Sequence, residues 1–235
     1  NDDIKIFNLT YEELSEFDVS SINKRSRYGR RFSNQENLTD QKIPKLSELL
    51  ELTSRSISDE LVINLEIKST PIEDNLTPPP DVMVKLVIDE VNKSNLGDRV
   101  IYSSFDWRVL KEIRNLNPKI ARAYLTYQQE TGVKIKGTIY DMSPWMDFMP
   151  LHDSDNIELP RLIKALGGDA WHPYHGDVKE EIIKKSHEEG LPVNVWTVNE
   201  EFDMMRMIDY GVDGIITDYP SRLKEYCEKK NIKWF

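Results

Sequence analysis

Leu61-Val-Ile-Asn-Leu-Glu-Ile-Lys68 is the stretch on which the reading of the fold turns. Side chains alternate along a strand, so Asn64, Glu66 and Lys68 share one face while Ile63, Leu65 and Ile67 share the other. In a parallel barrel the outer face lies under helices and must be apolar. The polar set therefore points inward. Glu66 and Lys68 also fall at the C-terminal end of the predicted strand, where barrel active sites are built. A buried carboxylate beside a buried ammonium requires a partner or a ligand. Either the two form an ion pair that fixes the core, or Glu66 binds a metal and Lys68 meets a phosphate oxygen.

Working outward, five more segments read as buried strands: 99–105, 119–126, 169–174, 192–198 and 213–218. All are short, rich in Val and Ile, and bounded by Gly, Pro or charge. Helical patterns separate most of them. Val84, Val87, Ile88 and Val91 make one apolar stripe within Asp81–Ser94. Asp177 and Glu180 have the spacing of an N-cap with its reciprocal acid, and Asn199 is placed to cap a helix running to Tyr210. Gly211 suits a helix C-terminus, and Pro220 opens a last helix. Upstream, Thr10 and Glu13 form a capping box, and Pro44 opens a helix carrying Leu46, Leu49, Leu50 and Thr53. Alternating strands and helices mean parallel pairing with right-handed crossovers. No glycine-rich nucleotide loop is present, which favours a barrel over the nucleotide-binding open sheets. The expectation is one α/β domain over residues 1–235, a TIM (β/α)8 barrel with about six of its eight strands in this chain.

Two connections stand out. Asn23–Asp40 holds Lys24, Arg25, Arg27, Arg30 and Arg31, and reads as a solvated loop or as an arm that meets an anionic substrate. Residues 128–156 form a long insertion with Tyr140, Met142, Trp145, Met146, Phe148 and Met149. It reads as a lid, or as a loop packed onto the barrel.

With 235 residues, 39% hydrophobic and 31% charged, the chain can build one large core. No apolar run approaches a membrane span. A net charge of −10 argues against nucleic acid as a partner. The single cysteine, Cys227, excludes an internal disulfide and a cysteine-based zinc site, so the redox compartment stays open. In Pro192–Val198, Asn194 and Trp196 share the inward face, and Trp196 could stack on a substrate headgroup, a quaternary ammonium included, or simply fill the barrel.

Leu65-Glu-Ile-Lys68, Ser103-Ser-Phe-Asp106, Val195-Trp-Thr-Val-Asn199 and Gly211-Val-Asp-Gly-Ile-Ile-Thr-Asp-Tyr-Pro220 together resemble the glycerophosphodiester phosphodiesterases, in that family's order and spacing. Trp171-His-Pro-Tyr174 resembles bacterial members most. The resemblance covers essentially the whole chain. It implies metal-dependent hydrolysis of glycerophosphodiesters to glycerol 3-phosphate and an alcohol. It makes Glu66 a ligand of the divalent cation, commonly Ca²⁺ or Mg²⁺, which prefer oxygen ligands. It makes Lys68 the phosphate contact, Trp196 the aromatic beside the substrate and Phe105 an apolar wall near the glycerol. Asp218 carries no firm role. The family pattern opens earlier, with a His-Arg strand, a Glu-x-Asp strand and a His-Asp pair, none of which is present here. Two strands are likewise missing for closure. The expectation is therefore roughly 50–60 further N-terminal residues, which would carry the acid–base histidines.

Of the histidines present, His172 could reach the mouth and is a candidate substrate contact, or else a loop residue without catalytic duty. His175 should point the other way. His152, in the insertion, and His187, on an amphipathic helix, read as structural or exposed. A sphingomyelinase D-like phospholipase and a non-catalytic phosphodiester-binding barrel are the rival readings. Exported bacterial relatives point to the periplasm or the exterior, with the cytoplasm as the alternative. The sequence does not decide the oligomeric state.

Overall fold

The computed structural model describes residues 4–55, 60–73, 75–129, 137–151 and 159–233. His152, the helix start near Ile157 and parts of the 128–156 insertion lie outside them. All six expected strands form, each shorter than its apolar run: β1 (Ile63–Glu66), β2 (Val100–Ser104), β3 (Arg122–Thr126), β4 (Ala170–Pro173), β5 (Asn194–Val195) and β6 (Gly214–Ile215). Strands β1 to β4 pair in chain order, all parallel, and β5 pairs parallel with β6. Parallel bridges Trp171–Val193 and Tyr174–Trp196 join the two groups. The result is one arc of six parallel strands in sequence order, the arrangement of a TIM barrel. Among the described residues β1 and β6 do not pair with each other, so the arc is open.

Helices α1 (Tyr11–Leu14), α2 (Arg27–Arg31) and α3 (Leu46–Ser54) precede β1; α4 (Pro80–Lys93), α5 (Trp107–Leu116), α6 (Leu159–Ala165), α7 (Glu180–Glu188) and α8 (Glu201–Asp209) lie between strands; and α9 (Pro220–Lys229) follows β6. Their apolar stripes seal the outer face of the sheet. On α4, Val84, Ile88 and Val91 are buried as the periodicity predicts. On α5, Val109, Leu110 and Ile113 have no exposed surface, and Trp107 packs edge-on against Tyr124 of β3 at 5.0 Å. Trp171 points to the same outer face, donating Nε1–H to Thr126 Oγ1 at 2.9 Å.

The helix starts divide into two groups. The Thr10 capping box forms with Glu13, Pro220 is the first residue of α9, and Gly211 takes a left-handed φ of +78°. Elsewhere the expected caps are replaced. Pro44 precedes α3, whose start is held by the Glu48 carboxylate accepting from Lys45 N–H. Leu49 of that helix is exposed rather than buried. Asp177 does not cap α7. It accepts instead from Gln128 N–H at 2.7 Å and from the Gln129 amide at 2.6 Å, fastening the end of β3. Asn199 does not cap α8, because its side chain is taken by Thr217 and Asp218. For Asp177 and Asn199 a partner distant in sequence outcompetes the local one.

The 23–40 loop is partly helical, with Ser26 capping α2. In the 128–156 insertion, Thr138 N–H donates to Tyr127 O, Met146 is fully buried and Lys111 of α5 bonds Asp147 at 2.6 Å. The described middle of this insertion is thus fastened to the helical layer. Met142 and Phe148 of the same described stretch stay exposed.

Candidate active site

The C-terminal end of β1 carries the Glu66–Lys68 pair. Lys68 Nζ donates to Glu66 Oε1 at 2.7 Å. The expectation of a buried pair is corrected: the Glu66 side chain is 29% exposed and that of Lys68 78%. Asn64, on the same face, is exposed too. The reason is topological, since β1 is the outermost strand of an open arc. An ion pair this exposed contributes at most about 1 kcal/mol. A ligand can therefore compete for either partner at small cost.

What holds this strand end is the Ser103-Ser-Phe-Asp106 segment. Ile67 N–H donates to Ser103 O, and Ser104 Oγ–H donates to Ile67 O, both at 2.8 Å. Ser69 Oγ–H donates to Asp106 Oδ2 at 2.6 Å. Asp106 is fully buried, caps α5 by accepting from Arg108 N–H, and receives the Arg108 guanidinium on both oxygens at 2.9 and 2.7 Å. That hydrogen bonding raises the Arg108 pKa above its ordinary value. Sequence reasoning drew only Phe105 from this segment and missed Ser104 and Asp106. The Ser-x-Asp spacing ahead of an amphipathic helix was the available signal.

Beyond the pair, four half-buried rings line the strand ends on the inner side. Phe105 stands edge-on to Trp196 at 5.2 Å, Tyr174 lies 5.4 Å from Trp196, and Tyr127 lies 5.2 Å from Tyr174. Phe105 and Trp196 were expected here. Tyr127 and Tyr174 were not: Tyr127 sits just past its expected strand, and Tyr174, the last residue of 169–174, was given no role. The rings touch one another and form a continuous wall.

Beneath this wall, His172 is 1% exposed. The expectation that it reaches the mouth is corrected: it lies within β4, and parallel register sets it opposite Asn194 of β5. The Asn194 amide lies 2.9 Å from His172 Nε2, and Trp196 Nε1–H donates to His172 O at 2.8 Å. Among the described residues His172 Nδ1 has no hydrogen-bond partner. Burial pushes its pKa down to about 4, so the ring is neutral near pH 7. A Cβ on Gly214 of β6 would fall 2.3 Å from Asn194 Oδ1, so glycine is required there to seat the amide. His175 faces the other way, near Arg206 and Asp203, and His187 bonds Asp213 at 2.8 Å. Asp218 is held by Asn199, whose Nδ2–H donates to its Oδ2 at 2.7 Å.

A hard divalent cation takes about six to eight oxygen ligands if Ca²⁺ and near-octahedral geometry if Mg²⁺. Among the described residues no three acidic, histidine or cysteine side chains cluster to hold a metal. Glu66 offers one carboxylate, which is not a closed donor set.

The parallel arc, with its polar pair and aromatic wall gathered at the strand C-termini, defines an α/β-barrel enzyme scaffold. The chain belongs to the glycerophosphoryl diester phosphodiesterase family, a family of phosphoric diester hydrolases whose model matches residues 1–222. It is 28% identical to the glycerophosphodiester phosphodiesterase of Caldanaerobacter subterraneus subsp. tengcongensis, over 94% of this chain and 72% of that one. A crystal structure from Silicibacter pomeroyi described as a glycerophosphoryl diester phosphodiesterase superposes with a TM-score of 0.80 at 34% identity, covering 97% of this chain and 70% of that one. An Oleispira antarctica phosphodiesterase solved with its product sn-glycerol-3-phosphate shares the fold at TM-score 0.59 and 18% identity, covering 85% of this chain and 65% of that one.

Proposed function

We propose that this protein hydrolyses glycerophosphodiesters to glycerol 3-phosphate and an alcohol, with the reacting phosphate at the end of β1. The observation that carries the reading is the Glu66–Lys68 pair, weakly held and solvent-accessible, on the strand end that Ser69, Ser104 and Asp106 fix in place. Lys68 supplies charge to a phosphate oxygen. Phe105 and Trp196 give the glycerol carbons an apolar wall. Glu66 is the oxygen donor this strand offers to a divalent ion, Ca²⁺ or Mg²⁺; among the described residues no cluster of three acidic, histidine or cysteine side chains completes a set. When bound, such an ion supplies charge stabilisation at the phosphoryl oxygens. His172 acts through structure, keeping Asn194 and Trp196 in register from below rather than touching substrate.

None of the described histidines is placed to move a proton at this rim. His172 is buried and neutral, His175 faces the opposite side, and His187 is held by Asp213. No general acid or base is assigned from them.

Calorimetric titration with sn-glycerol 3-phosphate in the presence of Ca²⁺ or Mg²⁺ tests the assignment of Lys68. Lys68→Met should weaken binding about tenfold or more, the loss of one charge-assisted hydrogen bond. Its melting temperature should not change. Equal binding by wild type and variant would remove Lys68 from the site. Metal-dependent binding with no turnover would favour the phosphodiester-binding reading over the enzymatic one.

A further inference from the structure

Residues 19–35 contain no aspartate or glutamate, yet carry Lys24, Arg25, Arg27, Arg30 and Arg31 in a chain whose net charge is −10. Among the described residues, no carboxylate forms an ion pair with any of these five. All five are exposed. A chain with this excess of acid would readily pair such a cluster if pairing were its purpose.

The segment is nonetheless built. Val19 N–H donates to Gln41 O and Leu38 N–H to Ser20 O, both at 2.9 Å, which closes the loop at its base. Ser26 caps α2, and Gly29 lies against Asn23 so closely that a Cβ would fall 2.1 Å from Asn23 O. Apolar groups stand out from the same closed loop: Tyr28 is 58% exposed, Leu38 56% and Val19 46%. Tyr28 leans on Phe32 with ring centroids 4.7 Å apart and planes tilted by 45°. A cavity of about 280 Å³ separates Arg31–Gln35 from Asp218 and Tyr219, so the loop sits beside the C-terminal end of β6, at the rim that carries the aromatic wall.

We propose that this loop docks the protein on an anionic lipid surface. Clusters of four to eight basic side chains read as sites for acidic headgroups, each contributing about 1 kcal/mol near the surface. Exposed Tyr, Leu and Val suit the boundary between headgroups and acyl chains. They also separate this partner from a nucleic acid, which would meet the net negative charge of the rest of the chain and has no use for Leu38 or Val19. Docked this way, the strand C-termini lie close to the membrane plane. The proposal does not depend on the catalytic reading, because it concerns binding to lipid that need not be substrate.

The test is co-sedimentation of the protein with phosphatidylglycerol vesicles and with phosphatidylcholine vesicles. Expected is binding to the first and not the second, weakening as salt rises. Lys24→Gln, Arg25→Gln and Arg27→Gln together should weaken binding about a hundredfold, at about fivefold per charge. Melting temperature reports whether that variant folds; if it does not, the salt dependence of the wild type decides. Absence of binding to the anionic vesicles, equal binding to both kinds, or indifference to salt would overturn the proposal. So would displacement of the vesicles by a single-stranded RNA that binds more tightly.

Discussion

At the scale of single residues, His172 keeps its ring neutral through the range in which a free histidine titrates. Its folded pKa is about 4 against an ordinary 6.5, because burial disfavours the cation. The unfolded chain therefore binds the proton first as pH falls. The stability of the neutral, buried form is complete above about pH 6.5 and is lost as pH drops toward 4, by about 3 kcal/mol over that window. His172→Asn should flatten this acid limb when melting temperature is followed against pH. An unchanged limb in the variant would show that another group sets it. Glu66 belongs to the opposite category. It is partly exposed and weakly paired, so Glu66→Gln should leave the unfolding midpoint in urea within about 0.5 kcal/mol of wild type. A larger loss of stability would mean that the carboxylate holds the fold and not a ligand.

At the scale of elements, the Asp106 cap joins β1, β2 and α5. Asp106→Ala removes the cap and strands a guanidinium that is 30% exposed. It should cost about 3 kcal/mol in a urea titration; a loss under about 1 kcal/mol would show that the fork is replaceable. All six strands and their order were legible in the sequence, because parallel strands under helices read as short apolar runs between polar breaks. Strand lengths were not, since β5 and β6 keep only two paired residues within longer apolar stretches. Caps were legible where the partner is local, as at Thr10, and illegible where a distant one wins, as Gln128 does for Asp177. The polar face of β1 was legible from alternation alone. Its burial was not, because exposure depends on whether a neighbouring strand covers it. Tyr127 and Tyr174 were given no role at the rim because their place there follows from register across strands far apart in sequence.

At the scale of the whole molecule, six parallel strands in chain order bring residues from positions 66 to 218 to one rim, and the family assignment gives that rim its chemistry. On the proposed reading, the exposed Glu66–Lys68 pair and the aromatic wall are the groups a phosphodiester would meet. The most direct test of the account is release of glycerol 3-phosphate from glycerophosphocholine by this protein with Ca²⁺ or Mg²⁺, repeated with a chelator and with Glu66→Gln. The account expects release that the chelator abolishes and that the substitution lowers about a hundredfold or more, the loss of several kcal/mol of charge stabilisation. Release that survives both, or none at all with the metal supplied, would contradict it.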